Sequence, residues 1–176
     1  MRNFITSITA QGRVVRRTRR GTSLIEVVVS TVIVGVLIVA TLNALGAATS
    51  SSRTAGNRAV AIGLADDLMA EIVKAKYVDP GNSPVFGPET GETTRNAFND
   101  VDDYNGWSEQ PPTAKDGTAY TDRNDWKRRV TVDRVTVADP TKTSTTETGV
   151  KRITVDVDYQ GTNVVEQTAL RTDTDQ

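Results

Sequence analysis

The longest apolar run of the chain extends from Leu24 to Ala48 and contains one charged residue, Glu26. As a helix, these 25 residues would be about 37 Å long, which exceeds the roughly 30 Å thickness of a bilayer core. The pattern therefore predicts a membrane-spanning helix. A cleaved secretory signal is the competing interpretation, with the small residues Ala44–Ala48 near the cleavage site. The run is long for such a signal, and an acid inside it is unusual.

The helix is expected to continue beyond the membrane, because residues 49–78 contain no proline and regain an amphipathic pattern. Small and apolar side chains recur there at steps of three and four residues, at Ala61, Leu64, Ala65, Leu68, Ile72 and Ala75. The segment Asp79-Pro80-Gly81 then ends the helix, since proline lacks an amide donor. We predict one helix from Thr22 to Val78, with residues 22–48 in the membrane and residues 49–78 on the globular domain.

The rest of the chain divides into a loop region and a sheet region. Residues 79–125 are rich in turn-forming residues and show no sustained period, which predicts a long irregular region. Residues 126–176 alternate between apolar and polar positions, which predicts an antiparallel sheet. The predicted fold class is therefore α+β, with the outer half of one long amino-terminal helix packed on a small sheet.

Three strands are predicted within the sheet region. The first contains Val130 and Val132, and its phase shifts near Asp133-Arg134, which predicts a bulge. The second, Ile153–Tyr159, alternates most regularly. A turn at Gln160–Asn163 then leads into a third strand and completes a hairpin.

Charge is distributed unevenly along the chain. Residues 1–21 hold six of the 21 basic residues and no acid, whereas only Arg53 and Arg58 follow the apolar run closely. This asymmetry predicts a cytoplasmic amino end and an exported carboxyl-terminal part. Without residues 1–21 the chain has 15 basic and 22 acidic residues, a net charge of −7. An acidic protein of this kind is not expected to bind nucleic acid.

Composition limits the chemistry of the chain. Its 176 residues suffice for one ordinary soluble domain and a membrane segment. It contains no cysteine and no histidine, which excludes disulfides, Ser-His and Cys-His catalysis, and metal sites built on histidine. We therefore expect no enzyme activity and no catalytic residue.

Two short basic clusters, Lys127–Arg129 and Lys151–Arg152, lie at the starts of predicted strands. Charges at the edge of a sheet discourage strand-to-strand aggregation. We interpret both clusters as solvated edge charges rather than as a binding patch.

The segment Phe98–Trp107 concentrates carboxylate and amide oxygens between aromatic residues. Calcium prefers such oxygen ligands, although the spacing does not fit an EF-hand loop. Calcium is therefore a candidate ligand here, and no other cofactor is expected. The favoured interpretation is a set of solvated turns, held on the sheet by Phe98, Tyr104 and Trp107. A disordered loop tip is a further alternative for Thr113–Thr118.

Glu26 is the least expected residue of the apolar run. A carboxylate costs about 2.5–3.5 kcal/mol at the centre of a membrane helix and less near the interface. One interpretation is that Glu26 is solvated near the headgroups or favoured by the positive end of the helix dipole. The other is that it pairs with a cation inside an assembly.

The segment Gly21-Thr22-Ser23-Leu24-Ile25-Glu26 has arginines before it and a long apolar helix after it. It resembles the class III signal of type IV pilins and type II secretion pseudopilins. The resemblance implies a leader of residues 1–21, cleavage between Gly21 and Thr22 by prepilin peptidase, and methylation of the new amino terminus at Thr22. It also implies that Glu26 acts in assembly by complementing the amino terminus of a neighbouring subunit. Thr22 stands where that family commonly has Phe or Met, and Ser23 stands where it commonly has Thr.

The resemblance implies a structural subunit, a minor pilin or pseudopilin, held in the bacterial inner membrane before assembly into a pilus or secretion pseudopilus. Its partners would be other pilin or pseudopilin subunits, prepilin peptidase, the inner-membrane assembly platform and membrane lipid. The alternative is a single-pass, membrane-anchored exported protein that binds a ligand through its β domain and joins no filament.

Overall fold

The computed structural model of the chain describes residue 21, residues 23–81 and residues 85–173. By contact, the chain divides into two compact units, Met1–Ala47 and Ala48–Gln176. The described residues form one α-helix, one 3₁₀ turn and four β-strands. These are α1 (Leu24–Ile72), the 3₁₀ turn (Asp102–Tyr104), β1 (Ser108–Glu109), β2 (Trp126–Arg134), β3 (Val150–Tyr159) and β4 (Thr162–Thr172). The predicted class, α+β with one long amino-terminal helix and an antiparallel sheet, is confirmed.

Helix α1 ends at Ile72 and not at Val78 as predicted. The backbone N–H of Ala75 donates to the carbonyl of Ile72 at 3.0 Å, so the chain first tightens into a turn. The backbone of Lys76 then pairs with a later segment, donating to the Asn99 carbonyl at 3.2 Å and accepting from the Val101 N–H at 3.0 Å. These tertiary hydrogen bonds replace helical ones, which is why the helix stops before the proline.

The sheet is antiparallel throughout, with the strand order β1-β2-β3-β4. Strands β3 and β4 are joined by the two residues Gln160 and Gly161, whose φ angles are 50° and 79°. Two consecutive positive φ angles are typical of the tight turns that match the twist of a hairpin. The predicted hairpin is present with a shorter turn. The two-residue strand β1 was not predicted, because it is too short to show a period.

The predicted bulge near Asp133 and Arg134 is wrong. Both residues pair with β3 in regular register, opposite Arg152 and Lys151. The irregularity of the sheet lies instead between Val157 and Asp158, where β3 pairs with β4. The phase shift in the sequence has another cause, since β2 ends at Arg134 and the chain then enters a loop.

The core of the second unit lies between one face of α1 and one face of the sheet. The helix contributes Ala61, Leu64, Ala65, Leu68, Met69 and Ile72, and the sheet contributes Trp126, Val130, Val132, Ile153, Val155 and Val157. The predicted helical face is confirmed, with Met69 added to it and Ala75 only partly buried. Phe98, Val101 and Tyr104 from the connection between α1 and β1 complete the core.

The two basic clusters do not lie at the edges of the sheet. Strands β2 and β3 are its inner strands, and Arg128 and Lys151 are buried, with exposed fractions of 1% and 3%. The guanidinium Nε of Arg128 donates to Glu109 Oε1 at 2.8 Å, and the ammonium of Lys151 pairs with Asp102. The expectation of solvated charges is therefore wrong for these two residues, whereas Arg129 is 45% exposed.

Candidate functional site at the start of the apolar helix

The residues of the predicted processing signal lie at the beginning of α1. Gly21 and Ser23 precede the helix, and the Ser23 carbonyl accepts its first hydrogen bonds, from the N–H groups of Glu26 at 2.9 Å and Val27 at 3.2 Å. Glu26 therefore lies in the first turn. The cleavage and methylation predicted at Thr22, and the leader before Gly21, fall outside the described residues.

The first half of α1 presents a continuous apolar surface. Its large apolar side chains are each exposed by 48–83%, at Leu24, Ile25, Val27, Val28, Val29, Val32, Ile33, Val34, Val36, Leu37, Ile38, Val39, Leu42 and Leu45. The most apolar window of 18 residues has a mean hydropathy of 2.6 and no buried residue. Length and composition are therefore compatible with a membrane anchor.

The hydroxyl groups of two threonines within this apolar segment are satisfied by the helix itself. Thr31 Oγ1 donates to the Val27 carbonyl at 2.8 Å, and Thr41 Oγ1 donates to the Leu37 carbonyl at 2.7 Å. Such bonds to the preceding turn leave neither hydroxyl unpaired in an apolar solvent. Both threonines therefore suit a lipid or protein environment.

Glu26 is the charged residue of this segment. Its side chain is exposed and forms no ion pair with any residue that the structure describes. The amino end of a helix carries partial positive charge, which favours a carboxylate in the first turn by about 0.3–1 kcal/mol. The helix end thus accommodates the acid and leaves its oxygens available to another molecule.

The Asp-rich segment after Phe98 is not a set of solvated turns. Asp100, Asp102 and Asp103 are exposed by 4% or less. Asp100 Oδ1 accepts from the Asp102 N–H at 2.9 Å, and Asp103 Oδ2 accepts from the Asn99 N–H at 2.7 Å. Burial, followed by the charges of Asp102 and Asp103, raises the pKa of Asp100 to about 7.

The predicted aromatic anchoring of this segment is confirmed. Phe98 and Tyr104 are buried and meet edge to face, with ring centroids 5.1 Å apart. Trp107 is partly buried against the core, and the guanidinium of Arg95 lies 5.0 Å from the centre of its ring. The segment is thus packed onto the core, and its acids are carried into the interior.

A second group of acids lies in the same connection and was not predicted. Asp79, Glu89 and Glu92 each place one carboxylate oxygen within 4.8 Å of the others, and all three side chains are half-buried. The three acids do not recur at a regular interval in the sequence, since they lie in a region without helical or strand periodicity. Only the abundance of acids between residues 79 and 103 could have indicated them.

No sequence model of a protein family, no curated protein and no solved structure matches this chain. A functional assignment has to come from the chain's own residues, above all from the segment between Gly21 and Glu26 and the apolar helix that follows it.

Proposed function

We propose that this chain is a prepilin-like structural subunit, a minor pilin or pseudopilin. It is cleaved after Gly21, methylated at Thr22 and assembled through its apolar helix into a type IV pilus or type II secretion pseudopilus. One observation carries the proposal. An exposed apolar helix begins directly after the Gly-Thr-Ser segment and holds a single acid, Glu26, in its first turn.

The proposed mechanism is packing and not chemistry. Before assembly, lipid covers the exposed side chains between Leu24 and Leu45. In a filament the same side chains pack against helices of neighbouring subunits, where close contact replaces lipid contact. Glu26 forms an ion pair with the methylated amino terminus of the next subunit, because opposite charges offset the loss of solvation in an apolar environment.

The charge distribution supports the proposed orientation. Basic residues precede the apolar helix, so the leader stays in the cytoplasm and the second unit is exported. The subunit then waits in the bacterial inner membrane, where prepilin peptidase and the assembly platform act on it. The proposal assigns no catalytic residue to the chain, since its composition lacks histidine and cysteine.

The amino-terminal sequence of the mature protein tests this proposal. The full chain is expressed with and without prepilin peptidase, and the membrane-bound product is analysed by mass spectrometry. We expect a product that starts at methylated Thr22 only when the peptidase is present. An intact leader in a peptidase-competent host would contradict the proposal and favour a membrane-anchored protein that joins no filament.

A variant of Gly21 identifies the signal within the same experiment. A Cβ atom added at Gly21 would meet no described atom within 4 Å beyond its chain neighbours, so we expect Gly21→Val to leave the described structure undisturbed. We expect this variant to keep its leader, because the peptidase reads the glycine. Gly35→Ala is the matched control, since Gly35 also has open space and lies inside the helix. Equal cleavage of Gly21→Val and the control would contradict recognition at Gly21.

A further inference from the structure

The acids Asp79, Glu89 and Glu92 meet in the connection between α1 and β1, with one oxygen of each within 4.8 Å of the others. Two other acids of the second unit with little exposure are paired with bases. Glu109 pairs with Arg95 at 3.1 Å and with Arg128, and Asp102 pairs with Lys151. In the described part of the chain, no lysine or arginine forms an ion pair with Glu89 or Glu92.

Several oxygens around this group are closed to solvent and accept no hydrogen bond from any described residue. They are both carboxylate oxygens of Glu89, Oδ1 of Asn99 and Oδ1 of Asp103. Asp103 is 1% exposed, so its second oxygen has no access to water. A buried acceptor without a donor costs about 1–3 kcal/mol, and more when it is charged. A bound cation would satisfy such acceptors.

Hydrogen bonds connect these oxygens to the three acids. The side-chain amide of Asn99 donates to Glu92, and the Asn99 N–H donates to Asp103 at 2.7 Å. The Glu89 N–H donates to Glu92 Oε2 at 3.2 Å. The carboxyl groups of Glu89 and Asp103 are also neighbours of the Glu92 carboxyl. Asn99 and Asp103 thus lie beside Glu92, and each holds one buried acceptor that no described residue satisfies.

We propose that Asp79, Glu89 and Glu92, with Oδ1 of Asn99 and Oδ1 of Asp103, bind one calcium ion. All the proposed ligand atoms are oxygens. Zinc and copper sites commonly use nitrogen or sulfur ligands, so this set does not favour those metals. Calcium takes 6–8 oxygen ligands in flexible geometry, and a bidentate Glu89 would bring the protein oxygens to six. Magnesium demands a stricter octahedron and retains its water, so it fits this set of side chains less well.

The site goes beyond the proposed filament role and does not depend on it. It joins three parts of the connection: Asp79 shortly after α1, the turn that holds Glu89 and Glu92, and the 3₁₀ turn at Asp102–Tyr104. Calcium would therefore link these parts without a disulfide, in a chain that has no cysteine. Of the segment Phe98–Trp107, in which the sequence indicated a possible calcium site, only Asn99 and Asp103 belong to the proposed site.

Calcium titration of the full chain in detergent micelles tests the site. The protein is freed of metal with EGTA, and binding of CaCl2 is followed by calorimetry and by thermal unfolding. We expect one ion per chain and a rise in Tm of about 5–10 °C at tenfold excess over Kd. MgCl2 at the same concentration should give a smaller rise. No binding up to about 10 mM calcium, tenfold above the weakest extracellular sites, would overturn the proposal.

The variants Glu89→Gln and Glu92→Gln distinguish metal binding from a structural role. In calcium they should lose most of the rise in Tm. In EGTA they should unfold at or above the temperature of the unsubstituted chain, because each removes one of several crowded negative charges. Glu166→Gln is the control, since Glu166 is an exposed acid on β4, and it should keep the full rise. An equal rise in the double variant Glu89→Gln/Glu92→Gln would overturn the assignment of these ligands.

Discussion

Glu26 and Arg128 are charged residues in apolar surroundings, and they differ in where their partners lie. Arg128 is buried and has its partners within the chain, because Glu109 and the Leu64 carbonyl accept from its guanidinium. Glu26 is exposed on an apolar helix and has no ion-pair partner among the described residues. The first charge therefore stabilises the fold, and the second is available for contact with another molecule.

Replacing Glu26 by Gln should impair assembly and leave processing intact. Glutamine has nearly the same size, but it cannot form an ion pair with an amino terminus, and the proposed cleavage site after Gly21 is unchanged. We expect incorporation into filaments to fall at least about tenfold, which corresponds to 1.4 kcal/mol. Immunoblots of sheared filaments and membranes measure the two fractions. Normal incorporation of Glu26→Gln would remove the role assigned to this acid.

Replacing Arg128 by Ala should destabilise the second unit strongly. The change removes a buried cation and leaves Glu109 with fewer donors, and breaking a buried ion pair costs about 3–5 kcal/mol. Arg129→Ala is the matched control on the same strand, because Arg129 is 45% exposed and its ion pair with Asp158 contributes about 1 kcal/mol or less. Urea unfolding followed by tryptophan fluorescence measures both. Similar losses would contradict the role of burial.

At the scale of elements, helix α1 combines two kinds of surface in one continuous segment. Its first half exposes large apolar side chains, whereas its second half buries one face and exposes the other. The second half therefore follows the rules of a soluble protein core, and its period of three and four residues predicted the buried face. The first half has no polar face and shows no such period.

Replacing Leu68 by Ala tests the packing of the second half. Leu68 is 1% exposed in the core, so its truncation should cost about 2–5 kcal/mol through lost burial and the remaining cavity. Ile62→Ala is the control on the same helix, and it should cost less than about 1 kcal/mol because Ile62 is 44% exposed. Thermal unfolding of the full chain in detergent gives both values. Equal costs would show that the buried face was assigned incorrectly.

The ends of the elements depend on contacts that no local pattern encodes. Helix α1 stops at Ile72 because the backbone of Lys76 pairs with Asn99 and Val101, and because Tyr77 is fully buried. In contrast, the hairpin turn was predicted within two residues, since Gly161 readily adopts a positive φ angle. Local chemistry thus determined the turn, and tertiary pairing determined the helix end.

At the scale of the whole second unit, two buried tyrosines join distant segments. Tyr104 donates to Glu71 on α1 at 2.8 Å, and Tyr77 donates to Glu147 in the loop before β3 at 2.5 Å. Burial, followed by the hydrogen bond to a carboxylate, raises the pKa of each phenol well above its usual range. Ionising either phenol would leave a buried anion beside a carboxylate.

Stability should therefore fall at alkaline pH. A pKa raised in the folded state means that the contribution is complete below the unfolded pKa of about 10 and is lost as pH rises above it. We expect the free energy of unfolding to decrease between about pH 9 and 11 by more than in Tyr104→Phe, which has no phenol at this position. Urea unfolding at both pH values measures the difference. An identical decrease in the variant would contradict the prediction.

The sequence by itself determined the fold class, the buried face of α1, the hairpin and the anchoring aromatics. Each depends on local periods, turn residues or hydrophobicity, which are properties of short segments. The same is true of the predicted processing signal between Gly21 and Glu26, which stays a prediction. The sequence did not indicate that Arg128 and Lys151 are buried, because a charged residue is buried only when distant acids such as Glu109 and Asp102 reach it.

Only the tertiary structure decided where the polar chemistry of the second unit lies. It buried the acids after Phe98 and brought Asp79, Glu89 and Glu92 within 4.8 Å of one another. These contacts join residues far apart in a region without a repeating pattern, so their distances depend on how the whole connection packs. The apolar helix and the position of Glu26 near its start could be predicted without tertiary contacts, because both follow from consecutive residues of the sequence.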